Sequence, residues 1–265
     1  MEPASIPPAW PNACGLIMRR ERLQSLLAEL LATERYDDYC PNGLQVEGRA
    51  QVQRVIGGVS ASLELIHEAV RRDADAILVH HGWFWRGEDR RLVGLRRQRV
   101  AALLAHELNL FAYHLPLDAH PELGNNAQLA HELGWRIDGR IGHHDLVCLG
   151  RPASSGTLAA LAREVATSLG REPLVIGEAG LPVQRIAWCT GAAQDQFEVA
   201  IEAGADAFLS GEISEQTVHL ARESGVGYLA IGHHASERYG VRALCRHLSE
   251  QHGLDCEFVD LDNPV

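Results

Sequence analysis

Residues 54–81 recur, offset by 131 positions and without a gap, as residues 185–212. Arg54, Ala61, Ala69, Ala74, Asp75, Ala76 and Leu78 meet Arg185, Ala192, Ala200, Ala205, Asp206, Ala207 and Leu209. Each copy reads as a strand, a helix, then Ala-Asp-Ala leading into a second apolar strand. Such a unit buries its faces in a mostly parallel sheet covered by helices. Two copies are too few for a solenoid, so the echo points to two related α/β halves.

The same alternation runs through the rest of the chain. Apolar residues at helical spacing predict helices near 17–34, 63–72, 97–108, 124–133, 157–169, 194–203, 214–224 and 236–249. Short apolar runs predict strands near 52–59, 77–79, 110–114, 146–149, 174–176, 185–189, 207–209, 228–231 and 256–259. The expected fold class is therefore α/β with mostly parallel or mixed sheets. Asp37-Asp38-Tyr39-Cys40-Pro41-Asn42-Gly43 reads as turn chemistry. The expected divisions are a disordered extension at 1–16, an N-terminal half at 17–130 and a C-terminal half at 131–265, closely packed as one unit. Four prolines and no basic residue in the first seventeen positions argue against a secretion signal, with Met18 an alternative start.

A net charge of −11 and the lack of a long basic stripe argue against nucleic acid or an anionic membrane as main partner. No apolar run approaches the roughly 20 residues that span a bilayer. All 24 basic residues are arginine, which removes Schiff-base chemistry and lysine-containing phosphate loops. The six cysteines form no C-x-x-C pair and fit buried thiols in a reducing cytoplasm.

Chemistry concentrates at four strand ends: His80-His81, His114 with Asp118, Glu212, and His233-His234 with Glu237. Ligands collect at the carboxyl ends of strands in α/β sheets, and imidazole is the commonest side-chain metal ligand. His80 and His81, adjacent on a strand, serve one ion only if the chain turns; otherwise they serve two. With Ser236 capping the following helix, Glu237 would lie in its first turn, facing back toward His233. Imidazoles and carboxylates together suit a pair of ions such as Zn, Fe, Ni or Mn, which can activate water for attack on a polarised substrate. Each residue also has a plainer reading. His114 is either a core histidine or an acid/base group, and Glu212 either caps the helix near Ser214 or serves the metals. His234 fits an outer hydrogen bond better than ligation, and His219 fits helix packing or a similar outer role. His143-His144 reads as solvent-exposed, and Trp83, Phe84 and Trp85 as core or oligomer contact rather than a stacking site.

Five blocks resemble the NIF-three-like family, most closely its short bacterial YbgI-type members, labelled GTP cyclohydrolase type 2 homologues. They are Tyr39-Cys40-Pro41-Asn42-Gly43-Leu44-Gln45-Val46-Glu47-Gly48, Val79-His80-His81-Gly82-Trp83-Phe84-Trp85, the His114–Pro121 stretch, Ser210-Gly211-Glu212-Ile213-Ser214-Glu215-Gln216-Thr217, and Gly232-His233-His234-Ala235-Ser236-Glu237-Arg238. The resemblance spans about 18–265. It implies two divalent ions per chain (Fe, Zn, Mn or Ni) on His80, His81, Asp118, His233 and Glu237, in a dinuclear site between paired α/β domains. It also implies a toroidal homohexamer and a cytoplasmic metal-dependent hydrolase of the GTP cyclohydrolase kind. The substrate would be a small molecule such as a purine nucleotide, with His114 or Glu212 moving protons and Arg86 or Arg238 meeting phosphate. A non-catalytic metal chaperone, carrier or regulatory scaffold is the competing class.

Overall fold

Two mixed sheets organise the chain in the computed structural model, which describes residues 15–265. The first is built from β2 (Gly43–Val46), β4 (Arg54–Ser60), β5 (Ala76–His81), β6 (Asn109–Ala112) and β15 (Asp255–Phe258), in the order β15-β4-β5-β6-β2. The second contains β7 (Arg136–Ile141), β8 (Val147–Arg151), β10 (Leu174–Ile176), β12 (Ile186–Cys189), β13 (Ala207–Ser210) and β14 (Gly227–Ala230), in the order β10-β14-β13-β12-β8-β7. Each has a parallel centre and antiparallel strands at one or both edges. Two short ribbons, β1 (Met18–Arg19) with β3 (Gln51–Val52) and β9 (Gly156–Thr157) with β11 (Pro182–Val183), tie loops together. The helices are α1 (Arg20–Leu30), α2 (Leu63–Arg71), α3 (Gly94–Ala105), α4 (Leu115–Ala119), α5 (Asn125–Glu132), α6 (Leu158–Leu169), α7 (Phe197–Glu202), α8 (Glu215–Ser224) and α9 (His233–His252). None is long and apolar enough to cross a membrane.

The internal echo has a physical cause. Asp75 Oδ2 accepts hydrogen bonds from the amides of Gln53 and Arg54, at 2.8 and 2.9 Å. Asp206 Oδ2 accepts from the amides of Gln184 and Arg185, both at 2.8 Å. In each unit the aspartate before the second strand satisfies amides at the start of the first, which would otherwise be left without partners. The strand registers match as well, Val55 opposite Ala76 and Ile186 opposite Ala207.

The chain does not divide at one cut near residue 131. After β14 it returns to the first sheet, where β15 pairs in parallel with β4 and α9 packs on β4, β5, β15 and α5. The second sheet is thus inserted into the first unit. The cause is apolar: Val241, Leu244, Cys245 and Leu248 of α9 share a core with Val55, Leu78 and Phe111. Gly57 lets α9 approach the sheet, because a Cβ there would lie 2.3 Å from Cys245 Sγ.

Other departures are local. The helix expected at 17–34 is shorter, since Met18–Arg19 pairs as a strand and Ala32 turns left-handed at φ 48°. β2 and β7 carry too few alternating apolar residues to stand out, Arg-Ile-Asp-Gly-Arg-Ile in the case of β7. The expected disordered extension falls mostly on residues outside those described, but its last two positions are hydrogen-bonded. Gly15 O accepts from Gln53 Nε2 and Leu16 N donates to Gly253 O. Among the described residues all five cysteines are free, and four are buried.

Candidate metal centre

β5 is buried on both faces until it reaches His81, so His80 is carried into the interior with no exposed surface. His80 Nδ1 donates to the Tyr113 carbonyl at 3.0 Å. This fixes the ring and points Nε2 at two carboxylates, 3.5 Å from Asp118 Oδ1 and 3.5 Å from Glu237 Oε1. His81 has Nδ1 3.1 Å from Ser60 Oγ and Nε2 3.1 Å from Glu237 Oε2. His233, the first residue of α9, donates from Nδ1 to Glu212 Oε1 at 2.7 Å and places Nε2 3.0 Å from Glu237 Oε2. Successive residues on β5 therefore meet the same carboxylate from different sides, and Glu237 stands between them.

Ser236 does not cap α9. The helix begins at His233 after Gly232, and Ser236 Oγ donates to the His233 carbonyl while accepting from Gly191 N. Glu237 consequently lies four residues into α9 on the same face as His233. Asp118 comes from α4 and is anchored by Asn125 Nδ2 at 2.9 Å and Thr190 Oγ1 at 3.4 Å. Two groups among the described residues bring their donor atoms within 4.8 Å of one another and share one carboxylate: His80, Asp118 and Glu237, and His81, His233 and Glu237.

The electrostatics of the cluster suit a cation. Glu237 is 3% exposed and Asp118 6% exposed, and two buried carboxylates this close repel unless a cation stands between them. Burial pushes the Asp118 carboxyl up, with Glu237 adding to the rise. Burial also opposes ionisation of Glu237, but His81 and His80 outweigh it and hold that carboxyl well below the usual range. Burial disfavours charge on His80 as well, yet Asp118 and Glu237 raise it to about 10. His233 is raised to about 9 against its burial by Glu237 and Glu212, whereas burial lowers His81 to about 4. His80 Nε2 and Glu237 Oε2 are buried without a hydrogen-bond partner, and the Nε2 atoms of His81 and His233 face each other at 3.4 Å. Imidazole nitrogens and carboxylate oxygens aimed at a common centre fit divalent ions, and the Nδ1 partners on Tyr113 and Glu212 are of the kind that orient ligating histidines.

A family model described as Duf34/NIF3 (NGG1p interacting factor 3) matches residues 18–264. The chain belongs to the Duf34/NIF3 family. A Pseudomonas aeruginosa relative named "GTP cyclohydrolase 1 type 2 homolog" is 52% identical over 238 residues, covering 89% of this chain and 94% of the relative. The solved structure titled "Structural genomics, protein ybgI, unknown function" superposes with a TM-score of 0.88 at 47% identity, covering 94% of this chain and all of that one. A crystal structure of a Thermus thermophilus protein gives a TM-score of 0.83 at 33% identity, covering 94% of this chain and 99% of that one.

The remaining candidates sort by geometry. In this Duf34/NIF3 chain His114 immediately precedes α4 and sits beside the cluster, its ring centroid 5.0 Å from that of His80. Its Nδ1 donates to Asp38 Oδ1 at 2.8 Å, and Trp85 stands edge-on to it at 5.0 Å. Glu212 is committed to His233 rather than to capping, since Ser214 caps α8. His234 points away and meets Asp260 Oδ1 at 2.9 Å, and exposed His219 pairs with Glu215 within α8. His143 and His144 lie against each other with tilted rings and join none of the metal-competent groups. Trp83 is core, its indole N–H donating to the Ala61 carbonyl, whereas Trp85 forms a wall of the site. Arg86 binds Asp37 and the Asp38 carbonyl and is exposed.

Several residues escaped the sequence reading. Asp38, taken for turn chemistry, has its side chain only 2% exposed and accepts from His114, Asn42 and the Leu115 amide. Burial opposes its ionisation, but the His114 hydrogen bond and charge lower its carboxyl below the usual value. Asn125 and Asn126, fully buried, join Asp118 to α9 and the second sheet: Asn125 Oδ1 accepts from Gly240 N and Asn126 Oδ1 from Thr190 N. Two asparagines opening a helix that buries its apolar side were the available signal. Gly191, with φ +70°, leaves the space that Glu237 occupies.

Proposed function

We propose that this chain binds two divalent ions and hydrolyses a small molecule in the cleft they face. His80 and Asp118 would hold one ion, His81 and His233 the other, with Glu237 shared between them. The observation that carries this is the arrangement of the three histidines. Each has its Nδ1 held by a polar neighbour and turns its Nε2 toward buried carboxylates. A pair of divalent ions, when bound, supplies Lewis-acid polarisation and activation of water at neutral pH.

The chain's own residues do the rest. Asp38 fixes the Nδ1–H tautomer of His114, leaving Nε2 to accept or return a proton beside the centre. Glu212 orients His233 instead of carrying protons itself. Trp85 shields the His81 and His114 rings on one side. The relatives' name, GTP cyclohydrolase 1 type 2 homolog, makes GTP the first substrate to assay. The matched strand registers and aspartate contacts support a pseudo-duplicated α/β unit, and a cytoplasmic homohexameric ring completes the reading.

Elemental analysis after native purification, followed by a turnover screen on GTP and other hydrolysable small molecules, tests the proposal. Two ions per chain are expected, lost in folded His80→Ala and Glu237→Gln, with turnover lost in parallel. Full metal loading without turnover would sink the hydrolase and leave a carrier. Absence of metal in the native protein would sink both.

A further inference from the structure

The space beside the metal-competent cluster is small. A pocket of about 200 Å³ touches His81 and His233 and is bordered by His234, Asn263 and Val265. Small-molecule sites usually occupy roughly 300–1,000 Å³. On the far side of His234 and Asn263 lies a second cavity of about 540 Å³. The segment 260–265, which has no regular structure, runs between the two.

The hydrogen bonds and ion pairs between that segment and the wall behind it have one character. Arg171 Nη1 donates to the Pro264 carbonyl, and the His234 amide donates to Val265 O at 2.9 Å. His234 Nε2 lies 2.9 Å from Asp260 Oδ1, and Arg238 Nη1 lies 3.4 Å from Asp260 Oδ2. Oxygens of the segment thus fill acceptor positions offered by two guanidinium groups, an imidazole and the first turn of the 20-residue helix α9. Arg171 packs against Gly232, where a Cβ would lie 2.9 Å from its Nε, and that buried Nε has no partner. The charges of the larger cavity divide the same way. Asp260 and Asp262 belong to the segment, whereas the fixed wall holds Arg171 and Arg238 against Glu172 alone.

We propose that Arg171, Arg238, His234 and the start of α9 form an oxyanion subsite for the substrate, and that Asp260 and residues 262–265 occupy it as an internal stand-in until a phosphate or carboxylate group displaces them. With the segment lifted, the two cavities join into one cleft from the His81–His233 side of the metal cluster to the arginines. The substrate class is then a small molecule carrying a phosphoryl or carboxyl group several ångströms from the bond that is cleaved. This rests on the proposed metal site for the position of that bond, not for the anion subsite itself.

Leu261 packs on the core of the first sheet, so a chain stopped after Leu261 keeps its anchor and Asp260, and loses the part of the stand-in that covers Arg171 and the His234 amide. Calorimetric titration of inorganic phosphate, and separately of succinate, into the full chain and this truncation tests the idea, with metal content measured in each sample. Removing an internal competitor raises apparent affinity by the fraction it held the site closed. The truncation is expected to bind at least one of the two anions about tenfold or more tighter, and Arg171→Gln on top of it to cancel the gain. Which anion gains distinguishes a phosphoryl from a carboxyl substrate. Full-length Asp260→Ala, which frees the His234 imidazole and Arg238, should move affinity the same way by a smaller factor and serves if the truncation misfolds. No gain for either anion, or a gain that survives both Arg171→Gln and Arg238→Gln, overturns the proposal. An intact gain in protein without metal would instead leave the anion subsite standing and remove the metal reading.

Discussion

Replacing Gly191 by alanine tests the metal centre without touching a ligand. A Cβ at this position would lie 2.0 Å from Glu237 Oε1 and 3.3 Å from His233 Nε2. Restoring ordinary van der Waals separation requires the carboxylate to retreat by about 1 Å or more. Glu237 is shared by both candidate ligand groups, so a shift of that size spoils both. Loss of positioning around a metal site typically costs about 10–100-fold in affinity, or about 1.4–2.8 kcal/mol. The substitution also carries a backbone cost, because Gly191 has φ +70°, a conformation that costs a non-glycine residue about 1–2 kcal/mol. Gly225→Ala isolates that cost: Gly225 has φ +74° and nothing within 4 Å of its Cβ position. Both variants should melt roughly 2–8 °C below the parent. Only Gly191→Ala should lose metal affinity, measured by competition with a chromogenic chelator. Equal metal affinity in the two variants would refute the placement of Glu237 between the ions.

Two further outcomes follow from the charges of the site. His80, raised to about 10, and His233, raised to about 9, are protonated at neutral pH in the metal-free protein and must lose those protons to ligate. Metal binding at pH 7 should therefore release protons and tighten as pH rises toward 9–10. Calorimetry in two buffers of different ionisation heat checks this, and identical heats would contradict it. Asp38 has its carboxyl lowered in the fold, so its stabilisation is present above the unfolded carboxylate value and is lost as pH falls through the lower folded one. Asp38→Asn should cost about 1–3 kcal/mol at pH 7, and its melting temperature should fall less steeply than the parent's below pH 4. Parallel acid profiles would mean that Asp38 carries no such linkage.

The candidate ligands could be found in the chain because strand ends are marked locally. Ile77-Leu78-Val79 running into His80-His81 is a buried strand that ends in polar chemistry, and the structure carries those residues as that pattern suggests. The supporting shell was not marked in this way. Asp38 sits in a run that any surface turn would show, and its burial comes from His114, Asn42 and Leu115, two of them more than 70 positions away. Gly191 and Thr190 look like an ordinary loop until Glu237 and Asp118 arrive beside them. Glu212 could be read as a cap or a proton carrier because only the position of His233 decides between them.

Composition and periodicity alone determined the strand–helix alternation, the Ala-Asp-Ala step that precedes two of the strands, and the absence of lysine chemistry. These are properties of neighbouring residues, set by side-chain period and backbone hydrogen bonding, and they survive without knowledge of the rest of the chain. Only the tertiary structure decided that α9 and β15 return to the first sheet across an inserted second one. That return brings His233 and Glu237 against His80, His81 and Asp118, and lays residues 260–265 over the start of α9. Its cause is the shared apolar core between α9 and β4, β5 and β6, a match of surfaces far apart in sequence that no local pattern records.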